Sequence, residues 1–252
     1  MGCLVEHVDD VVVVFTDRHG GVSEVPFDSL NLGRFSSDDP NRVEQNWDVA
    51  SDLVVAAGLP LPRRAQGVSW LHQVHGAVVH EVVDGAPVAG ADGDALVTAH
   101  AGPVLAVSVA DCAPIALIGR KVVAAVHAGW RGLAEGVVRE AVSRLREIEG
   151  RSPGRSGKLR AVLGPCIHVD QYEFGSEVLA RMVERFGPTV EGTTADGAPA
   201  FDLPAAVRVE LGRAGVTEVI DVDVCTASSS DHFSHRRDAP TGRQAMFVAR
   251  RP

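Results

Sequence analysis

Cysteine is scarce in this chain, and the four it has (Cys3, Cys112, Cys166 and Cys225) lie far apart with no CxxC pair. That spacing excludes a disulfide scaffold. It fits a reducing compartment, with buried thiols or one cysteine acting as a metal ligand. Positive charge is also in deficit: 24 Lys and Arg stand against 33 Asp and Glu, a formal net charge of −9. No global basic field is available to hold nucleic acid or an anionic membrane, so an anionic substrate has to be met by local arginines or backbone amides. Long apolar runs are missing too. The stretch MGCLVEHVDDVVVVF carries acidic residues ahead of a short apolar run, which reads as neither a signal peptide nor a membrane span. It also lacks the Ser or Thr that a myristoylation signal wants. The expectation is a soluble cytoplasmic protein. Absent as well are GxGxxG, a Walker loop, GxSxG and the H-x-E…P-C-x-x-C signature of zinc nucleobase deaminases.

What is present is enough apolar residue, 45% of 252 positions, to bury one large core or two small ones. Glycine and proline are spread along the chain, which argues for many short connections rather than a disordered tail. No internal repeat or domain linker interrupts it, so residues 1–252 read as one domain. The loop-like stretches 36–42, 59–67 and 150–158 are short enough to lie within it. Val- and Ile-rich segments bounded by Gly, Pro, Asp or Asn predict strands at 10–16, 77–83, 104–109, 114–118, 121–127, 159–164, 217–225 and 245–249. Segments 104–109 and 121–127 are apolar almost throughout, the pattern of strands covered on both faces. In 217–225 only the second half alternates, which predicts a half-buried strand there. Helices are predicted at 40–57, 131–148, 175–186 and 203–214; the second carries an apolar stripe from Leu133 to Ile148. Strands and helices intermix, with neighbouring strands joined by short turns. The fold class is therefore α/β (α+β), a mixed sheet covered by helices.

Three stretches offer metal-ligand residues beside backbone punctuation: WLHQVHG (70–76), VADCAPI (109–115) and AVHAGWRG (125–132). Segments 114–118 and 121–127 are joined by Gly119-Arg120 alone and read as a hairpin. At a strand rise of about 3.3 Å per residue, the path from Cys112 up to the turn nearly cancels the path back to His127. His75 can complete a His₂Cys set. Three protein ligands with a fourth position open is a catalytic zinc pattern, and a thiolate with imidazoles suits Zn²⁺ or copper better than Mg²⁺ or Ca²⁺. Spacing alone leaves open a hydrogen-bonded structural histidine and a buried cysteine filler. His80-Glu81-Val82-Val83-Asp84 falls one residue short of HExxH and reads as strand. The turn after His127 leads into a helix whose N-terminus, with Arg131, would offer an anion seat. Equally, Trp130 could pack the turn and Arg131 pair with Asp111.

Taken together, QVHG (73–76), DALVT (94–98), ADCAP (110–114), HAGWRG (127–132), GPCIH (164–168), YEFG (172–175), FSHRRD…TGRQ (233–244) and the opening FTDRHGGVSEVPFDSLNLG (15–33) resemble the YfiH-type family, in order and over nearly the whole chain. Members of that family are described variously as multicopper polyphenol oxidases, purine nucleoside phosphorylases and peptidoglycan editing factors. The resemblance implies the YfiH-like fold, also named for cytotoxic necrotizing factor-like cysteine hydrolases. It implies a metal site at His75, Cys112 and His127, and phosphorolysis of adenosine, inosine, guanosine and methylthioadenosine, with adenosine deamination also attributed to the family. Asn31 and Asn46 lie in family-like stretches as candidate pocket residues. Many members have Arg after the second asparagine, where this chain has Trp47. Asp111 is the first candidate for protonating the leaving nitrogen; its alternative role is to orient His75 or His127. Gln73 would project to the same face as His75 if the segment is extended. Arg236, Arg237 and Arg243 form a basic cluster, either a salt-bridge network or a set reaching the substrate.

The expected ligands are thus a nucleoside, phosphate and Zn²⁺, with copper as a second metal, and no nucleic acid or membrane. The acidic charge and the lack of an obvious apolar surface stripe lean toward a monomer. Competing readings are a hydrolase with Cys112 as nucleophile and His127 as base, a zinc-stabilised module that binds cell-wall precursors, and copper-dependent phenol oxidation. The last needs several copper sites, and only one convincing ligand set is found.

Overall fold

A computed structural model of the chain describes residues 2–59, 61, 67–83, 86–150 and 157–252. Two six-stranded sheets form its centre. In sheet I the order is β1 (Cys3–Val8), β2 (Val11–Thr16), β14 (Gln244–Arg250), β7 (Val104–Val109), β3 (Val68–His72) and β5 (Ala89–Asp92). In sheet II it is β13 (Glu218–Asp221), β10 (Arg160–Leu163), β8 (Ala113–Ile118), β9 (Val123–Ala128), β6 (Ala95–Thr98) and β4 (Val79–Glu81). Both sheets are mixed: β3 runs parallel to β7 and β5 in the first, and β10–β13 and β4–β6 are parallel in the second. A small hairpin, β11 (Glu191–Thr193) with β12 (Pro199–Phe201), lies apart.

Period-two alternation explains the layering. Along β14, Met246 and Val248 face one way while Ala245, Phe247 and Ala249 face the other. The first set meets Leu96, Ala116, Val123 and Ala125 of sheet II, so the two sheets pack face to face. The second set packs under helix α1 (Pro40–Ala56) through Val43, Trp47, Ala50 and Val54. The outer face of sheet II, including Ile115, Leu117, Ala124 and Val126, is covered by α3 (Val137–Gly150), α4 (Ser176–Phe186) and α5 (Leu203–Arg213). The result is a four-layer helix–sheet–sheet–helix sandwich, and its inner strands are buried on both faces, as 104–109 and 121–127 predicted.

Three expectations change. The helix read as one unit at 131–148 is two: α2 (Trp130–Glu135) and α3, broken where Gly136 takes a left-handed φ of 95°. The strand read at 217–225 stops at Asp221, whose Oδ1 accepts the Asp223 N–H at 2.8 Å while Asp223 sits at φ 56°. An Asx-type turn overrides the apolar alternation that continues to Val224. The strand read at 77–83 shrinks to Val79–Glu81, which still places His80 and Glu81 on a strand; Asp84 lies outside the described residues. Most of the loop-like stretches 59–67 and 150–158 also lie outside them. Among the described residues no helix is long and apolar enough to cross a membrane.

Candidate metal centre

Hairpin register brings the site together. β8 and β9 pair antiparallel with Pro114 opposite His127 and Ala113 opposite Ala128. Cys112, one residue before β8, therefore lies beside the end of β9. His127 has the same parity as Val123 and Ala125, so it continues the row that faces sheet I. His75 arrives from the turn after β3 of sheet I, at φ 59°. The donor atoms of His75, Cys112 and His127 all lie within 4.8 Å of one another, and the two imidazoles meet edge to face at 4.8 Å between centroids.

The residue that builds this cluster is Asp94, fully buried just ahead of β6. β6 pairs with β9 so that Ala95 faces Val126, which sets Asp94 beside His127. Its Oδ1 lies 2.7 Å from His127 Nδ1 and 3.0 Å from the His75 backbone N–H; Oδ2 accepts the Gly76 N–H at 2.7 Å. Burial alone would raise the Asp94 carboxyl, but the His127 hydrogen bond and charge and these amides outweigh it and lower it. An ionised carboxylate only accepts, so His127 carries its proton on Nδ1 and presents Nε2 to the cluster. Asp94 was missed in the sequence because its role depends on strand register. The one trace was the motif DALVT, which it opens.

Electrostatics of the trio favour a thiolate. Burial would push the Cys112 thiol up, yet the imidazoles of His127 and His75 reverse this and hold it at about 6. Burial would lower His127, but the Cys112 sulfur and Asp94 raise it to about 9. A soft thiolate and two imidazoles form a donor set that could hold a metal ion. Gly129 makes the space: a Cβ there would stand 2.7 Å from His75 Nδ1 and 2.9 Å from Cys112 Sγ. The glycine after His127 thus serves the ligand cluster directly, and α2, only six residues long, gives no long helix dipole for the expected anion seat.

A cavity of about 530 Å³ opens over the trio, large enough for a nucleoside-sized ligand. Arg131 lines it with its guanidinium 4.7 Å over the Trp130 ring; among the described residues it forms no ion pair with Asp111. Asp111 also lines it, but its Oδ1 accepts from Thr226 Oγ1 at 2.7 Å and its Oδ2 from the Arg236 N–H at 2.6 Å. The orienting role considered for Asp111 is filled by Asp94. Gln73 reaches the wall, where its amide clamps the Ser108 backbone through both atoms, at 2.7 and 2.8 Å. Asn31 and Asn46 sit buried behind the wall: Asn31 Oδ1 accepts the Gly33 and Arg243 N–H groups, and Asn46 bonds Val22, Ser23 and the Asn31 carbonyl. Trp47 donates to the Leu32 carbonyl at 3.1 Å, and the Arg34 guanidinium lies 4.6 Å from both its ring and that of Trp70. Tyr172 and His235 complete the far wall and were given no role in the sequence.

The model of the family described as multi-copper polyphenol oxidoreductase laccase matches residues 12–251. The chain is 36% identical over 242 residues to the purine nucleoside phosphorylase YfiH of Escherichia coli, covering 94% of this chain and 93% of the other. The chain belongs to the YfiH family. Within it, the chain is 42% identical over 240 residues to a purine nucleoside phosphorylase of Streptomyces coelicolor, covering 93% of each. The crystal structure of the YfiH protein of Bacillus licheniformis superposes with a TM-score of 0.86 at 28% identity, over 98% of this chain and 96% of that one. The YfiH-family fold is thus shared along the whole described chain. The family description speaks of several coppers; among the described residues, His75, Cys112 and His127 form the single cluster of metal-ligand type.

Proposed function

We propose that the chain is a zinc-dependent purine nucleoside phosphorylase acting on adenosine, inosine, guanosine and methylthioadenosine, with a secondary adenosine deaminase activity. The observation that carries this reading is the juxtaposition of a His₂Cys donor set with a cavity walled by arginines and aromatic rings. The relatives named purine nucleoside phosphorylase support it. His75, Cys112 and His127 would hold the metal, with Asp94 fixing the two histidines. Zinc bound there supplies Lewis acidity toward an oxygen nucleophile.

The chain's own residues do the rest. Trp70, His72 and Phe35 offer ring faces for a flat base, with Phe35 and His72 4.0 Å apart between centroids. In phosphorolysis a phosphate oxygen bonds the ribose anomeric carbon, the bond from that carbon to the purine nitrogen breaks, and the nitrogen takes a proton. The products are ribose 1-phosphate and the free base. The Tyr172 hydroxyl, kept protonated because burial pushes it up, and the arginine N–H groups are the donors available to the departing nitrogen. Asp111, with both oxygens already accepting, acts better as the carboxylate that positions Arg236 than as the acid. In deamination water replaces phosphate, bonds C6 of adenine, and ammonia leaves.

Incubation with inosine and adenosine, with and without phosphate, tests the reading. Ribose 1-phosphate formed only with phosphate, lost on chelation and in Cys112→Ser and His127→Ala, is the expected result. Free ribose alone would overturn it. One observation favours a second reading: a thiolate held at about 6 beside an imidazole raised to about 9 is also the pair a cysteine hydrolase uses. Activity that survives full chelation but dies with iodoacetamide would select that reading.

A further inference from the structure

The chain is acidic overall, yet the cavity collects Arg34, Arg131, Arg236 and Arg243. What each guanidinium is already doing separates them. Arg34 is flanked by two indoles and paired with Glu44. Arg131 is exposed over Trp130, where water solvates it. Arg236 is exposed too, lies 4.8 Å over the Tyr172 ring and donates through Nη1 to the Glu173 carbonyl at 2.9 Å. The neighbouring Arg237 is fully spent on the carbonyls of Thr226, Ala227, Ser229 and His232 and on Asp238.

Arg243 differs. It is not exposed, and its Nη1 donates to the Thr241 and Gly242 carbonyls at 3.0 and 2.8 Å. Those two bonds fix the plane of the guanidinium. Its Nε and Nη2 groups, three N–H donors in all, have no hydrogen-bond partner among the described residues, and no carboxylate there lies within 4 Å of it. Arg243 lines the same cavity as Asp111, Cys112 and the two histidines; burial works against its charge, while Cys112 and Asp111 favour it. Unlike the buried, unpartnered Nε of Arg34, the Nε and Nη2 atoms of Arg243 keep solvent contact, so an anion in the cavity can reach them.

The surroundings are built to hold that side chain. The Arg243 backbone N–H is accepted by Asn31 Oδ1 at 2.9 Å, and the same oxygen accepts the Gly33 N–H. A Cβ on Gly33 would stand 2.8 Å from Arg243 Cγ, so the glycine clears the path of the arginine stem. Asn31, read in the sequence as a pocket residue, does not line the cavity itself but holds Arg243, Gly33 and Ser36, which do. It is a positioning residue.

We infer that Arg243 is the oxyanion-binding residue of the cavity, and that its free Nε–Nη2 edge takes the oxygens of a phosphate lying between it and the His75–Cys112–His127 cluster. A planar guanidinium edge matches two phosphate oxygens at once. The identity of the anion rests on the phosphorolysis reading: free phosphate if that reading is right, the phosphoryl group of a nucleotide if it is not.

Titration of the metal-loaded protein with inorganic phosphate and, separately, with a nucleoside monophosphate tests this, by calorimetry and by ³¹P line broadening. Arg243→Gln is expected to weaken anion binding by about tenfold or more, as loss of a charge-assisted bidentate pair does, with Arg243→Lys recovering part of it. In steady-state assays the phosphate KM should rise while the nucleoside KM holds. Thermal unfolding checks that each variant is folded; if the Gln variant is not, the Lys variant decides, since it keeps the charge and loses the fork. Unchanged anion binding in the folded variants, or no binding of either anion by the parent protein, overturns the inference. Arg243-dependent phosphate binding without any ribose 1-phosphate would leave the inference standing and remove the phosphorolysis reading instead. Tight nucleotide binding with no affinity for free phosphate would assign the site to a phosphorylated substrate.

Discussion

Asp94 shows what one buried carboxylate contributes at a site of this kind. It fixes the tautomer of His127, aligns the His75 turn through the backbone amides of Val74, His75 and Gly76, and has its carboxyl lowered by the bonds from His127, Gly76 and His75. Replacing it with Asn keeps the size but removes the charge, and presents an NH₂ where an acceptor is needed. Because the carboxylate lies behind the ligands, Asp94→Asn should leave the three donors in place while lowering zinc affinity by about 10- to 100-fold. A competition titration against a zinc chelator reads this directly; an unchanged affinity would remove Asp94 from the metal site. Cys112 and His127 were legible because each sits where an apolar run meets a turn, and the hairpin count placed them together; His75 was a candidate third ligand that the family resemblance selected. Asp94 was not legible, since its partner is 33 positions away and is chosen by β6–β9 pairing rather than by spacing. Arg243 was legible only as one member of a basic cluster. That Arg237 is consumed by carbonyls and Arg243 is not depends on where a loop folds back, which sequence alone does not reveal.

At the scale of elements, the strands predicted well are those with unbroken apolar runs in the middle of a sheet: β2, β7, β8, β9, β10 and β14. Those missed, β1, β3, β5, β6, β11 and β12, are edge strands, short strands or strands with polar residues, and Gly90 within β5 sits at φ 74°. Their pairing comes from neighbours, not from local propensity. The same holds for the second sheet: periodicity shows that a strand is covered on both faces but not that the cover is another sheet. The junction of β9 and α2 carries the sharpest consequence. Gly129 caps α2 with ordinary extended backbone, φ −79° and ψ 167°, so an alanine meets no backbone strain there. The obstacle is steric and points at the ligands, His75 Nδ1 and Cys112 Sγ. Gly129→Ala is therefore expected to fold, with a stability cost of about 1–3 kcal/mol typical of overpacking, while losing stoichiometric zinc. Elemental analysis of the purified variant beside its unfolding curve checks both halves. Full zinc occupancy would show that the ligands move aside freely.

For the whole molecule, the metal cluster stands where the two sheets meet. His75 follows β3 of sheet I, His127 ends β9 of sheet II, and Cys112 lies on the crossing from β7 to β8. A bound ion would staple the layers at one end. Two opposite outcomes can be imagined on removing it: collapse, as in small zinc modules, or a folded protein of lower stability. The cores decide between them. Leu105, Val107, Met246 and Val248 pack against Leu96, Ala116, Val123 and Ala125 between the sheets, and separate helical layers cover both outer faces, all without the ligands. Each fully buried side chain of this kind contributes about 1.5–3 kcal/mol, so the sandwich does not depend on one ion. Metal should then act by mass action, adding about 2.7 kcal/mol at a free concentration 100 times its Kd. For a chain of this size that is a rise in Tm of about 5–11 °C, at roughly 2–4 °C per kcal/mol. Thermal unfolding with zinc and with excess chelator measures the difference, and His75→Ala should abolish it while staying folded. A chelated protein that loses its cooperative transition and its near-ultraviolet circular dichroism would instead make the ion part of the fold, and the catalytic reading of an open three-ligand site would lose its footing.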